Sequence, residues 1–198
     1  MRICVFCGSS PGARPVYTTA ARRLGELLAQ RGIGLVYGGA HVGLMGTLAD
    51  AVLAGGGEAV GVIPESLVKR EIAHRGLTQL HVVETMHQRK AMMADLSDAV
   101  IALPGGFGTL EEFCEIVTWS KLGFQRKPCG LLNIDNYWNG LLTMFDRAVQ
   151  DEFIHPNDRR MILEAETPEE MLNKLAACLV SLASGTRQVA STNRRTTV

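Results

Sequence analysis

This sequence has no long apolar run, no excess of charge of either sign and few aromatic residues. No stretch approaches the roughly 20 apolar residues that a membrane-spanning helix needs. Lys and Arg number 20, as do Asp and Glu, so the formal net charge is zero. Only 6% of the residues are aromatic. These figures argue against a nucleic acid or a membrane surface as partner, and we expect neither.

The sequence also lacks the pattern of a signal peptide and that of a disulfide framework. In residues 1–10, MRICVFCGSS, a few apolar residues lead directly into a turn. This apolar stretch is too short for the hydrophobic region of a signal peptide. The five cysteines are odd in number and widely spaced. This distribution is typical of a reducing compartment, so we expect a cytoplasmic protein. Cys4 and Cys7 form a CxxC pair, but strand residues three apart face opposite sides, so we predict two buried thiols.

The sequence does contain a repeated alternation of short apolar runs and helical patterns. Runs such as ICVF, AVGVI and AVIALP are apolar throughout, as expected of strands covered by helices on both faces. The alternation predicts an α/β fold, a single doubly wound, Rossmann-like parallel sheet with helices on both faces. We predict one domain over residues 1–182, with a candidate edge strand over 161–165. Residues 183–198 carry arginines and no acids, and we expect a disordered tail there.

Four turns at the predicted carboxyl ends of strands carry the functional signal, because ligands of such sheets bind at that edge. They are CGSSPG (7–12), YGGAHVGLMG (37–46), ETMHQRK (84–90) and PGGFGTLEE (104–112). Three are rich in Gly or Ser, so backbone N–H groups and helix N-termini can approach an anion. They match neither a dinucleotide fingerprint nor a Walker loop, and the five histidines lack metal-ligand spacing. We therefore predict a monophosphate site that needs no metal or other cofactor.

Two features of these turns each have two interpretations. Thr109-x-x-Glu112 fits a capping box that closes a helix start. It also fits a carboxylate at an anion site that orients water or stabilises a cation. Arg89 and Lys90 lie in the first turn of a helix, where positive charge opposes the dipole, so they favour an anionic ligand. The alternative is a solvated helix face paired with Glu84.

Taken together, YGGAHVGLMG, MHQRK and PGGFGTLEE resemble the LONELY GUY family of cytokinin-activating enzymes over roughly residues 1–180. The family hallmark PGGxGTxxE is matched by Pro104, Gly105, Gly106, Gly108, Thr109 and Glu112. Members have often carried a lysine-decarboxylase label, but nothing in these residues supports pyridoxal chemistry.

The resemblance implies hydrolysis of the N-glycosidic bond of N6-modified adenosine 5′-monophosphates to a free base and ribose 5-phosphate. It implies a homodimer or higher homo-oligomer with sites near the interface, and Arg89 and Glu112 as the catalytic pair. The substrate-binding set that it implies is Glu71, Lys90, Gly105, Gly106, Phe107, Gly108, Thr109, Leu110, Glu111 and Thr118.

Other functions stay open at this point. A broader AMP nucleosidase would use the same turns. A non-enzymatic nucleotide or molybdenum-cofactor carrier resembles this sequence in its fold and glycine turns, so an anion site alone does not exclude it. Binding of single-stranded DNA is a weaker alternative, because the neutral charge and the low aromatic content both argue against it.

Overall fold

The computed structural model describes residues 1–68 and 72–192 of the chain. Its strands are β1 (Arg2–Phe6), β2 (Gly34–Tyr37), β3 (Ala59–Pro64), β4 (Gln79–Val83), β5 (Ala99–Ala102), β6 (Cys129–Leu132) and β7 (Ile162–Ala165). Its helices are α1 (Pro15–Gln30), α2 (Gly43–Ala54), α3 (Glu65–Val68), α4 (Met86–Asp95), α5 (Phe107–Lys121), α6 (Asn139–Gln150), α7 (Pro156–Arg159) and α8 (Pro168–Thr192), with a 3-10 turn at Ile134–Asn136.

The strands form one parallel sheet in the order β4-β3-β2-β1-β5-β6-β7, which confirms the predicted doubly wound fold. The order reverses at β1, where the chain returns across the sheet to add β5 on the other side. Val5 of β1 therefore pairs with Tyr37 on one side and with Ile101 on the other. Such a reversal leaves a crevice beyond the carboxyl ends of the two central strands, so the fold places a ligand site after β1 and β5.

Two hydrophobic clusters, one on each face of the sheet, form the core. Ile3 and Val5 belong to the cluster under α1, α2 and α8, while Cys4 and Phe6 belong to the cluster under α4, α5 and α6. Cys7 joins the first cluster, so the two thiols of the CxxC pair lie on opposite faces as free, buried cysteines, as predicted. Burial raises the pKa of both thiols, which keeps them protonated and unreactive.

The carboxy-terminal elements match the prediction in part. The candidate edge strand over 161–165 is confirmed as β7, which pairs with β6 at the edge of the sheet. Helix α8 runs to Thr192 rather than ending near Leu182. It therefore extends into residues 183–198, for which we predicted a disordered tail. Residues 193–198 lie outside the described residues, and the division into domain and tail stays a prediction. Within the described part of the chain, no helix has the length and apolar character that a membrane crossing requires.

Helices α1 and α2 approach each other at Gly25. A Cβ atom at this position would lie 2.6 Å from the carbonyl oxygen of Leu48 and 2.7 Å from the Cβ of Ala51. Backbone atoms cannot move aside as a flexible side chain can. The missing side chain of Gly25 therefore sets the spacing of two helices that cover the face of β1 and β2.

We expect Gly25→Ala to destabilise the fold, although alanine is the better helix former. Overpacking costs about 1–3 kcal/mol, which outweighs the roughly 1 kcal/mol gained in helix propensity. Gly140→Ala is the matched control, because nothing lies within 4 Å of a Cβ atom at this position in α6. Urea denaturation should show a loss of stability for the first variant and no loss for the second. Equal effects of the two substitutions would contradict the close approach at Gly25.

Candidate active site

The turns after β1 and β5 lie against each other at the crevice. The amide of Gly8 donates a hydrogen bond to the carbonyl of Pro104 over 3.1 Å, and the amide of Leu44 donates to the carbonyl of Gly8 over 3.1 Å. The turn after β1 is thus held between the turn after β5 and the start of α2. Gly43 permits this contact, since its φ is +61° and a Cβ there would overlap the backbone of Ser9.

A cavity of about 300 Å³ lies in this crevice. Its lining residues are Gly8, Ser9, Ser10, Pro11, Gly12, Tyr17, Leu44, Pro104, Gly105, Gly106 and Tyr137. Helix α5 begins at the border of this cavity, and its N-cap is Gly106, which has no side chain to cap the helix. The first amide groups of a helix have no acceptor within the helix, so this helix start offers N–H donors and a positive dipole end to an anion.

Thr109 and Glu112 do not form the capping box that their spacing allowed, and that interpretation is wrong. Helix α5 begins at Phe107, earlier than predicted, so Thr109 lies inside the first turn instead of before it. The Thr109 side chain packs against Gly105, where a Cβ atom would overlap it. A capping box is formed in α4 instead, by Thr85 and Gln88. The carboxylate of Glu112 is thus not used to close its own helix.

Arg89 is fixed against Val62 of β3 and against Gly38, the residue that follows β2. Its Nε donates to the carbonyl of Val62 over 3.0 Å, and its Nη2 donates to the carbonyl of Gly38 over 2.9 Å. A Cβ atom at Gly38 would overlap Nη2, so the glycine provides the space that the guanidinium occupies. The Arg89 residue is only 7% exposed, which rules out the solvated helix face.

Glu112 is buried beside this guanidinium. Its Oε1 lies 3.7 Å from Nη1 of Arg89. Burial raises the pKa of Glu112 to about 7, although the charge of Arg89 opposes the rise, and the neighbouring Glu111 adds to it. Near neutral pH the carboxyl group therefore exchanges readily between its charged and protonated forms. A carboxyl poised in this way is typical of groups that take part in acid–base chemistry.

Lys90 ties α4 to α5 on the other side of this helix start. Its Nζ contacts Oε1 of Glu111 and lies 3.0 Å from Oε2 of Glu115. Burial lowers the pKa of Lys90, but the hydrogen bonds to Glu111 and Glu115 outweigh it, and the pKa is raised. Lys90 is thus a charged group paired with α5, and the proposed pairing of this helix face with Glu84 is wrong.

The other predicted residues do not all come together. Gly105–Leu110 surround the start of α5, where the side chain of Phe107 is exposed. Thr118 lies about two turns further along α5. Its hydroxyl donates to the carbonyl of Cys114 over 2.7 Å, and it lines a separate cavity of about 180 Å³. Glu71 lies outside the described residues.

Among the residues that the structure describes, no group of three or more His, Cys, Asp or Glu side chains is arranged to hold a metal ion.

Tyr137 also lies at this site, although the sequence did not predict it there. Its hydroxyl donates to the carbonyl of Gly105 over 2.6 Å. Its position in the sequence could have suggested this, because Tyr137 follows β6 and precedes α6 in another strand-to-helix turn at the carboxyl edge of the sheet. The acceptors of Arg89 left no such signal, because they are backbone carbonyls.

The sheet order defines a Rossmann-like α/β protein, and the uncapped helix start and the buried charge pair lie at the carboxyl edge of its sheet. The model of the family described as "Possible lysine decarboxylase" matches residues 45–175. The chain is 54% identical over 176 residues to the "Probable cytokinin riboside 5'-monophosphate phosphoribohydrolase LOGL6" of Oryza sativa subsp. japonica, which covers 89% of this chain and 70% of that protein.

A second relative and a solved structure extend this comparison. The chain is 53% identical over 174 residues to the "Cytokinin riboside 5'-monophosphate phosphoribohydrolase LOG7" of Arabidopsis thaliana, over 88% of this chain and 80% of that protein. The molybdenum cofactor binding protein of Rippkaea orientalis superposes with a TM-score of 0.69 at 25% identity, over 89% of this chain and 95% of that one. The chain belongs to the LONELY GUY family of cytokinin riboside 5′-monophosphate phosphoribohydrolases, as its motifs indicated.

Replacing Arg89 by Met should raise the pKa of Glu112 above its value of about 7. The substitution keeps an apolar stem but removes the positive charge that opposes the effect of burial. NMR titration of the glutamate side-chain carboxyl groups measures this pKa. Arg147→Met is the matched control, because Arg147 pairs with Asp151 on the surface of α6 and should leave the pKa unchanged. An unchanged Glu112 pKa in the first variant would refute the coupling between the two side chains.

Proposed function

We propose that this protein hydrolyses the N-glycosidic bond of N6-modified adenosine 5′-monophosphates, with release of the free base and ribose 5-phosphate. The observation that carries the proposal is the buried carboxyl of Glu112, whose pKa is about 7, beside the fixed guanidinium of Arg89. The names of the relatives support the same reaction, since both describe phosphoribohydrolases of cytokinin riboside 5′-monophosphates.

The 5′-phosphate binds at the start of α5 in this proposal. Its oxygens accept hydrogen bonds from the uncapped amides between Gly105 and Thr109, and the helix dipole adds a favourable charge. The phosphate is remote from the bond that breaks, so its binding energy serves to hold the ribose in a reactive position. Lys90 pairs with Glu111 and Glu115 and offsets part of their negative charge, which weakens the repulsion of the phosphate by these carboxylates.

Glu112 acts on the sugar in its charged form. Cleavage moves the electron pair of the C1′–N9 bond to the base and leaves oxocarbenium-like positive charge on the ribose. The carboxylate stabilises this charge and orients the attacking water, whose oxygen bonds to C1′. One proton of the water passes to Glu112 and from there to the departing base, so the base leaves protonated, the sugar keeps the hydroxyl group and the carboxylate is restored.

Arg89 acts as a fixed charge beside this carboxylate. Two of its nitrogens are bound to the carbonyls of Val62 and Gly38, so the guanidinium cannot swing toward a distant phosphate without breaking both bonds. Its positive charge limits the rise in the pKa of Glu112. Arg89 thereby maintains a useful fraction of the carboxylate form at neutral pH.

We also propose that the protein works as a homodimer or higher homo-oligomer in the cytoplasm, with its sites near the interface between copies. The exposed side chain of Phe107 at the start of α5 supports this, because it is 93% exposed in the single chain. The position of Thr118, outside the glycine turn of its own chain, is compatible with a role at such an interface.

A non-enzymatic carrier is the second candidate, because the molybdenum cofactor binding protein of Rippkaea orientalis shares the fold with a TM-score of 0.69. A carrier needs the anion site but has no need of a buried carboxyl that titrates near neutrality. The identity of 54% to a phosphoribohydrolase, against 25% to the cofactor-binding protein, also favours the enzyme.

Glu112→Gln should greatly slow base release and leave nucleotide binding nearly intact. We expect kcat to fall by about 10²- to 10⁴-fold, as is usual when a positioned acid–base group is lost. Chromatography of the free base released from isopentenyl-AMP and from AMP measures turnover, and calorimetry measures binding of AMP. Glu152→Gln, in the exposed turn after α6, is the matched control.

The outcomes of this experiment separate the candidate functions. Absence of base release by the wild-type protein from either nucleotide would reject the hydrolase. Full turnover in the Glu112 variant would reject the role of this residue. A wild-type rate on AMP equal to that on isopentenyl-AMP would favour the broader AMP nucleosidase.

The pH dependence of kcat/KM should bend near pH 7, with the rate falling as the pH decreases below it. The active form of Glu112 is the carboxylate, and its pKa of about 7 places half of the groups in the protonated form at that pH. The substrate phosphate titrates at about 6, so its own bend lies at lower pH. In Glu112→Gln the bend near pH 7 should vanish from the residual activity. Its persistence there would assign it to another group.

A further inference from the structure

The direction of the anion-binding amides depends on a glycine pair. Gly105 and Gly106 precede α5, and glycine has the largest backbone freedom of any residue. No side chain of the N-cap residue restrains this helix start, so other contacts must fix it. Because a trans peptide is planar, an interaction that holds the carbonyl oxygen of Gly105 also sets the direction of the N–H of Gly106.

Tyr137 supplies such an interaction from a different part of the chain. Its hydroxyl donates to the carbonyl oxygen of Gly105 over 2.6 Å. Its ring is packed edge-on against Tyr17, with centroids 5.6 Å apart, and against Trp138, with centroids 4.8 Å apart. These contacts hold the phenol in place at the wall of the 300 Å³ cavity.

The backbone just before Tyr137 is strained, and this conformation places the Tyr137 ring beside Gly105. Asp135 and Asn136 have φ angles of +54° and +61°, a left-handed conformation that residues with a side chain adopt at a cost in free energy. Strain of this kind persists only where the surroundings impose it. Here Arg14 forms an ion pair with Asp135, and the buried side chain of Asn133 accepts a hydrogen bond from the amide of Trp138 over 2.7 Å.

We propose that Tyr137 is a positioning residue for the phosphate site: its hydroxyl fixes the peptide between Gly105 and Gly106, so that the amides at the start of α5 face the bound phosphate. The inference rests on the proposed function for the identity of the anion, a sugar 5′-phosphate. It deepens that function, since Tyr137 acts through the backbone and does not touch the reacting bond.

Tyr137→Phe tests the proposal, because it keeps the ring and its packing but removes the hydroxyl. We expect the Kd of ribose 5-phosphate, measured by calorimetry, to rise about five- to tenfold, the usual effect of one lost hydrogen bond. KM for isopentenyl-AMP should rise by a similar factor, while kcat stays within about twofold and Tm is nearly unchanged.

Two further variants complete the experiment. Thr143→Ala is the matched control, because it removes a hydroxyl that bonds to the carbonyl of Asn139 within the same helix, and its Kd should equal that of the wild type. Arg14→Gln removes the ion pair to Asp135 and leaves Tyr137 intact, so it should raise the Kd in the same direction by a smaller factor.

An unchanged Kd in Tyr137→Phe would overturn the proposal, as would a loss of kcat and Tm that accompanies the rise in KM. Failure of the wild-type protein to bind ribose 5-phosphate would overturn it as well. Binding of ribose 5-phosphate that depends on Tyr137, in a protein that releases no base, would support this inference and reject the hydrolase.

Discussion

The candidate site depends on one guanidinium that binds two carbonyl groups just beyond the point where the adjacent strands β2 and β3 stop pairing with each other. Beyond the last paired residue of a parallel strand, a buried carbonyl needs a donor from elsewhere. Arg89 supplies donors to Gly38 and Val62, the residues that follow the last pair between β2 and β3, and it lies 3.7 Å from Glu112 on α5. One charge thus joins the sheet, α4 and α5. Without it, two acceptors and a carboxylate would be buried without compensation.

The helical register of α5 sorts its carboxylates into different roles. Glu111 and Glu112 are adjacent, but successive residues of a helix point about 100° apart. Glu111 therefore meets Lys90 in a close ion pair, whereas Glu112 meets Arg89 at a longer distance and is more deeply buried. The close pair raises the pKa of its lysine, while the longer pair only partly offsets burial and leaves the pKa of Glu112 at about 7.

The fold was largely predictable from the sequence. A strand that helices cover on both faces is apolar throughout, so the apolar runs between helical patterns indicated the strands of such a sheet. The proposed catalytic pair, Arg89 and Glu112, was indicated by motif resemblance, because both residues lie near the starts of helices that follow turns at one edge of the sheet. The capping-box interpretation of Thr109 failed because the helix begins earlier, with Gly106, which has no side chain, as its N-cap. The acceptors of Arg89 and the contact between Tyr137 and Gly105 could not be predicted, because a backbone carbonyl is the same in every residue type.

The glycine that accommodates Arg89 makes two positions interdependent. Gly38 and Arg89 are 51 residues apart, yet the absence of a side chain at one is what admits the guanidinium of the other. A larger residue at position 38 would displace the cation, and a shorter residue at 89 would leave a void. In evolution or protein engineering, neither position can be altered freely while the other is kept, so we expect the two residues to change together.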